Sequence, residues 1–303
     1  VLLSVSVDLD ELRHYRAIHG LAAGAEQDEV FGRAVPRLAD WARQRGVPLT
    51  WFVVGRDVER STDNAEAVAR LARAGDELGC HSYSHLYDLT RRSFVEMRRE
   101  VEQGVTAVER AGSVKVTGFR APGYVVTDTL LDLLRESGLA YDSSVFPCPS
   151  YYALKAAAIA SMQARRLESK SIVDVPEVLR APTSPYRVGR PYWYRGTGIW
   201  EVPIQVTRRA RLPFIGTSLT MAGAMGARIL ANGVAGEPFV NLELHGIDAL
   251  DQSDGLQDLA KKQRDLRISW SRKLDAIDAA VTLLRGKGYS CVRMDELAAR
   301  ARA

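Results

Sequence analysis

One recurring order constrains the fold more than any other feature of this chain. An apolar, β-branched run ends in a polar residue, and a segment with helical spacing follows. Val1 to Val7 is the first such run and delivers Asp8-Leu9-Asp10-Glu11. Leu49 to Val54 is a second, and a third apolar stretch ends in His81-Ser82-Tyr83-Ser84-His85. Lys115 to Phe119 delivers Arg120-Ala121-Pro122-Gly123-Tyr124, and Phe239 to Leu244 delivers His245-Gly246-Ile247-Asp248. Helical spacing covers Gln27 to Gly46, where Pro36 predicts a kink, then Ala65 to Ala74, Arg91 to Arg110, Thr127 to Ser137 and Lys262 to Arg285. Tyr289 to Met294 reads as a last strand. Repeated β-then-α order predicts a parallel sheet under covering helices, and parallel α/β barrels build their sites at strand C-terminal ends. The expected fold is therefore a distorted (β/α)7 barrel of parallel strands, one domain over residues 1–303, with an aromatic-rich insertion at 146–200.

His81 and His85 would lie about 13 Å apart in a continuous strand. Two imidazoles on one zinc-like ion each sit about 2.0–2.1 Å from it. Metal binding therefore requires His81 to end a strand and the chain to turn, bringing His85 back. Taken alone, the spacing suits one satisfied core histidine and one loop histidine better. Asp8 and Asp10 share a strand face about 6–7 Å apart, so one could bind metal and the other act as a base. A polar helix cap is the plainer alternative. Arg120 alone suits a surface salt bridge and His245 alone a buried, hydrogen-bonded ring. Together, at separate strand ends, these residues favour catalysis.

With those residues in view, the chain resembles the polysaccharide deacetylase family, the metal-dependent N-deacetylases with a NodB-homology domain. His81-Ser82-x-x-His85 matches its His-Ser-x-x-His motif, Arg120-Ala121-Pro122 its Arg-x-Pro motif, and Leu242-Glu243-Leu244-His245 its Leu-x-x-His motif. The order along residues 1–295 is also the family's. Two departures stand out. Many members carry adjacent aspartates, whereas Asp8 and Asp10 are separated, as in the branch of lipid-linked 4-formamido-arabinose deformylases. The family's Asp-Trp motif has no clean match, with Asp174 and Trp200 as candidates.

The resemblance and the residues together imply amide hydrolysis. Asp10, His81 and His85 would hold one divalent metal, zinc first, with cobalt, nickel or manganese as alternatives. Asp8 would be the base, paired with Arg120, and His245 the general acid. A backbone N–H of Gly123 or Tyr124, just after Pro122, would hold the oxyanion. The implied substrate is an N-acylated amino sugar, free or carried on a polymer, nucleotide or lipid. N-deformylation, a cyclic amidase of the allantoinase-like branch and a non-catalytic glycan-binding barrel are the rival readings.

Segment 146–200 holds Tyr151, Tyr152, Tyr192, Trp193, Trp200 and Arg190 among many prolines. It reads either as a recognition loop, with Trp193 and Arg190 on substrate, or as a packed excursion with its own small core. Thr217 to Asn232 reads as a helix of small and apolar residues, packed in the core in preference to touching a membrane. His14 and His19 read as solvated or as supports of the site. Asp248 is a candidate to orient the His245 ring.

Lys and Arg exceed Asp and Glu by only four, with no basic block, which argues against nucleic acid. No apolar run is long enough to span a bilayer, leaving peripheral membrane contact open. Cys80, Cys148 and Cys291 match no metal or redox spacing, and Cys80 is expected behind its strand. A reducing, cytoplasmic setting is the simpler expectation, although a chain beginning at Val1 leaves a removed leader open.

Overall fold

The computed structural model describes residues 1–21, 28–164 and 174–302. Among the described residues, nine strands form one sheet: β1 (Leu2–Leu9), β2 (Leu49–Val53), β3 (Glu77–Cys80), β4 (Gly118–Phe119), β5 (Tyr141–Asp142), β6 (Tyr186–Val188), β7 (Arg195–Glu201), β8 (Phe239–His245) and β9 (Ser290–Cys291). The path runs β6-β7-β5-β4-β3-β2-β1-β8, with β9 beside the start of β1. All pairings are parallel except β6 with β7. The sheet is thus a curled, mostly parallel half-barrel. It is distorted as the sequence predicts, and open between β8 and β6, the two ends of the path.

The helices are α1 (Leu12–Ile18), α2 (Val35–Arg45), α3 (Gly55–Glu59), α4 (Thr62–Arg73), α5 (Phe94–Gly112), α6 (Asp128–Glu136), α7 (Pro149–Ala164), α8 (Gly216–Val234), α9 (Trp270–Gly286) and α10 (Met294–Arg302). Local chemistry sets their ends. Ser61 and Thr127 cap α4 and α6, and Ser93 with Glu96 forms a capping box on α5. The expected kink at Pro36 is a π-helical turn, Val30–Ala34, that runs into α2 with the proline in its first turn. The long helix expected from Lys262 begins only at Trp270, after a short 3₁₀ turn at Arg264–Arg267.

Residues 186–200, expected inside the 146–200 insertion, instead supply β6 and all of β7 but Glu201. β7 pairs in parallel with β5 and belongs to the barrel. Gly196 and Gly198 let β7 approach Val188 and Gly189 too closely for a side chain, so a strand is written in residues that read as a loop.

Alternation along β1 and β8 decides what lines the barrel. Leu3, Val5, Val7 and Leu9 are buried against the helices. The opposite face of β1 carries Ser4, Ser6 and Asp8, in register with Asn241, Glu243 and His245. The lower end is closed by Leu2, Phe52, Tyr141, Val202, Met294 and Leu297, with α10 as the plug. An apolar floor therefore lies below a fully buried polar interior that opens at the strand C-termini.

Candidate metal and catalytic site

Arg120 is the centre of the interior. It follows β4 and is fully buried. Its guanidinium donates to Asp8 Oδ1 at 2.6 Å, Ser6 Oγ at 3.0 Å, Ser143 Oγ at 2.9 Å and the Ser143 carbonyl at 2.8 Å. Its cationic carbon stands 4.2 Å from the centre of the Phe52 ring. Burial would raise the Asp8 pKa, but the Arg120 charge, with those of His81 and His245 and the Arg120 hydrogen bond, together outweighs it, and the carboxyl is held below its ordinary range. Asp8 is therefore ionised, with Oδ2 buried and without a hydrogen-bond partner.

The turn required of His81 and His85 is present. β3 ends at Cys80, and the chain reverses through Ser82 and His85, both at positive φ (61° and 56°). Gly55 and Arg56 donate to the carbonyls of Ser82 and Tyr83, and Ser82 Oγ accepts from His85 N–H at 3.1 Å. The two imidazole centroids come within 4.9 Å. His81 Nδ1 bonds the Arg120 carbonyl at 2.7 Å, which fixes the proton on Nδ1 and leaves Nε2 as a lone pair. Nε2 of His81 lies 3.6 Å from Asp10 Oδ1, and Nε2 of His85 lies 3.7 Å from Asp10 Oδ2.

These separations exceed a hydrogen bond. They approach the edge, about 3.4 Å, of a tetrahedron with ligands about 2.1 Å from its centre. One ligand atom from each of Asp10, His81 and His85 falls within 4.8 Å of the others, and Asp10 Oδ1 has no hydrogen-bond partner. Burial lowers both histidine pKa values, that of His85 to about 3, so the rings are neutral, as ligands must be. The three residues fit a divalent metal, and an orphaned buried carboxylate oxygen between two neutral imidazoles has no other evident partner.

His245, at the end of β8, faces this set from the other side. Its Nδ1 lies 2.8 Å from Glu243 Oε1 and its Nε2 lies 3.1 Å from Tyr124 Oη. Burial would lower its pKa, but the Glu243 carboxylate and its hydrogen bond, with the Asp10 and Asp8 charges, together raise it well above the ordinary value. Glu243, not Asp248, holds the ring, because Asp248 Oδ2 accepts from the His245 backbone N–H and so shapes the loop. Asp174 and Trp200 do not make an Asp-Trp pair. Asp174 accepts from Tyr192 Oη at 2.7 Å, and Trp200 sits on β7 opposite Tyr141. The sequence reading passed over Glu243. Strand alternation could have found it, since Asn241, Glu243 and His245 are the polar members of one face.

Pro122–Tyr124 is a 3₁₀ turn with Gly123 at φ 66° and Tyr124 at φ 62°. Tyr124 Oη also donates to Glu243 Oε1 at 3.0 Å, and Phe146 and Tyr151 pack on its ring. Its N–H donates to the Ala121 carbonyl, leaving Gly123 N–H as the candidate oxyanion donor. Trp193 lines a cleft with Thr90, Arg91, Val125, Thr127 and Asp174, next to the loops that carry His85 and Tyr124. Arg190 pairs with Asp132 of α6 at the surface. His14 bonds Asp57 Oδ2 at 3.0 Å and its ring lies 4.5 Å from that of His85, whereas His19 turns away to Gln263. Cys80 packs behind β3 against Gly104, and all three cysteines are free.

The family model of polysaccharide deacetylases matches residues 28–141. Those residues belong to a polysaccharide deacetylase domain. The chain is similar to a bifunctional xylanase/deacetylase from Pseudobutyrivibrio xylanivorans, 31% identical over 94 residues, which are 31% of this chain and 15% of that protein. It is also similar to a peptidoglycan deacetylase from Helicobacter pylori, 25% identical over 152 residues, 48% of this chain and 50% of that protein. The matches thus span half or less of these relatives' own length.

In structure, a candidate polysaccharide deacetylase from Mycobacterium smegmatis superposes with TM-score 0.64 at 18% identity, covering 99% of this chain and 90% of the other. A family 4 pseudoenzyme from Bacillus anthracis shares the fold too, with TM-score 0.52 at 14% identity over 98% and 65%. The fold alone therefore does not decide activity.

Proposed function

We propose that this chain is a metal-dependent carbohydrate N-deacetylase that hydrolyses the acetamide of an amino sugar within a glycan. One observation carries the reading: an ionised, Arg120-paired Asp8 keeps a bare Oδ2 only 3.9 Å from His81 Nε2, beside the three-donor set. A pseudoenzyme or a glycan-binding barrel has no need of such a base. Asp10, His81 and His85 would hold the ion, zinc by the chemistry of its donors, and the bound ion would polarise the acyl carbonyl and acidify water.

The remaining steps belong to the chain. Asp8 Oδ2 takes the proton of the attacking water. Arg120 positions Asp8 and keeps its pKa low, so that it is ready at neutral pH. The Gly123 N–H would hold the developing oxyanion. His245 is kept protonated by Glu243 and gives its proton to the departing amine, whose nitrogen would otherwise leave as an anion. Trp193 offers a half-buried face to a neighbouring sugar ring. The substrate is an N-acylated amino sugar on a polymer or carrier.

N-deformylation is the second reading, favoured by the spaced Asp8-x-Asp10 pair. Acetate and formate release from N-acetylated chito-oligosaccharide, peptidoglycan and N-formyl amino sugar decides between them. Acetate supports deacetylation, formate alone replaces it, and neither rejects both.

A further inference from the structure

Helix α8 and the turn before it carry chemistry that the site does not use. The helix packs Leu219, Ala227, Ala231 and Val234 inward, as expected from its small residues, and it kinks at Gly223 (φ 68°). Its outer side is not polar. Met221, Met225 and Ile229 are 50%, 72% and 65% exposed, and Leu212 just before the helix is 44% exposed. Of the eleven large apolar side chains exposed among the described residues, these four fall within residues 212–229. Met225 and Ile229 are one turn apart on one face, with Arg228 beside them.

The charge of this region is equally one-sided. Residues 202–236 hold Arg208, Arg209, Arg211 and Arg228 and no acid. Lys and Arg exceed Asp and Glu by four over the whole chain, so this stretch alone accounts for the net positive charge. Arg208, Arg209 and Arg228 are exposed. Arg208 N–H donates to the Gly233 carbonyl, which places that cation at the C-terminal end of α8. At the other end Thr217 Oγ1 donates to Asp248, three residues past His245. The patch therefore begins beside the mouth of the barrel.

We propose that α8 and the 207–212 turn form a docking surface for a lipid bilayer that contains anionic headgroups. Met221, Met225, Ile229 and Leu212 enter the acyl boundary, and the exposed Arg208, Arg209 and Arg228 bind headgroup phosphates, as in interfacial amphipathic helices. A second copy of the chain fits less well. A two-fold contact through this patch would bring the exposed Arg208, Arg209 and Arg228 of both copies together, and residues 202–236 hold no acid to meet them. Neutral glycan offers nothing to the arginines. The inference stands apart from the deacetylase reading, since it uses no residue of the site. Docked this way, the barrel mouth would lie near the membrane plane.

The full chain is mixed with vesicles of phosphatidylcholine alone, or of phosphatidylcholine with an equal part of phosphatidylglycerol, and the bound fraction is read by flotation. Binding to the anionic vesicles alone is expected, weakening as salt is raised. Each arginine contributes about fivefold to partitioning. The Arg208→Glu/Arg209→Glu/Arg228→Glu variant should thus lose at least about a hundredfold. Met225→Asp/Ile229→Asp should also release the protein. All these side chains are exposed, and unchanged circular dichroism and melting confirm that the variants fold. Equal binding to both vesicle types overturns the proposal, as does binding to neither. A dimer in light scattering that Met225→Asp/Ile229→Asp dissolves, without vesicle binding, assigns the patch to a second copy and also overturns it.

Discussion

Glu243→Gln isolates the interaction that makes His245 an acid. Glu243 is fully buried, and its Oε1 lies 2.8 Å from His245 Nδ1 and 3.0 Å from Tyr124 Oη. Glutamine keeps the shape and an acceptor oxygen but removes the charge. That carboxylate is the largest influence raising the His245 pKa, and it acts against burial, which lowers it. Without it the histidine pKa falls, the imidazolium is lost at lower pH, and the basic limb of the kcat/KM profile moves toward acid. General acid catalysis contributes about 10²–10⁴ in rate, so partial loss of the acid form should cost about 10–100-fold at neutral pH. The loss should shrink as pH falls and the ring regains its proton. Metal content should stay unchanged, because Asp10, His81 and His85 are untouched. A pH–rate series on an N-acetylated glycan, with metal analysis of the same samples, reads all of this. A basic limb that stays in place, or a loss equal at every pH, would refute the argument that Glu243 works through His245.

The other predictions follow from separate parts of the barrel. Asp8→Asn should keep the metal and lose about 10²–10⁴ in turnover, whereas His81→Ala should lose the metal itself; metal-free Asp8→Asn protein would mean the two aspartates have exchanged roles. Glu77, at the barrel floor, accepts from Tyr141, Thr50 and the Asp295 N–H, and burial raises its pKa to about 7. The folded state then holds a proton that the unfolded state releases above about 4.5, so stability is full below that pH and falls by about 3 kcal/mol as pH rises to 7. Urea unfolding across that window should show the slope in the parent and lose it in Glu77→Gln. Trp193→Ala should raise KM for a long glycan while leaving cleavage of a small N-acetyl sugar nearly unchanged, and equal loss on both would make the side chain a structural support.

Much of the site was legible because it sits at strand ends. Apolar runs that stop at Asp8, His81, Arg120 and His245 announce both a parallel sheet and the rim where its chemistry gathers. The interior was harder to read. Ser6, Ser143 and Asn241 look like ordinary small polar residues until three separate strands bring them onto Arg120 or onto each other. Glu243 sits between two leucines, and only its alternation with Asn241 and His245 on the seven-residue β8 marks it. β4 and β5 are two residues each, too short for any periodicity, and β7 is written with glycines whose use is close approach to Val188 and Gly189. Pro36 marked a real irregularity, but its outcome, a π turn closed onto α2, depended on tertiary contacts such as Glu11 accepting from Phe31 N–H.

Metal stoichiometry measured together with acetate release tests the central claim most directly. The protein is stripped by chelator, reloaded with zinc in steps and assayed on N-acetylated glycan at each step. The account predicts no activity in the stripped protein, a linear rise that saturates at one ion per chain, and neither binding nor activity in His81→Ala. Full acetate release from stripped protein, or zinc binding unaffected by His81→Ala, would contradict it.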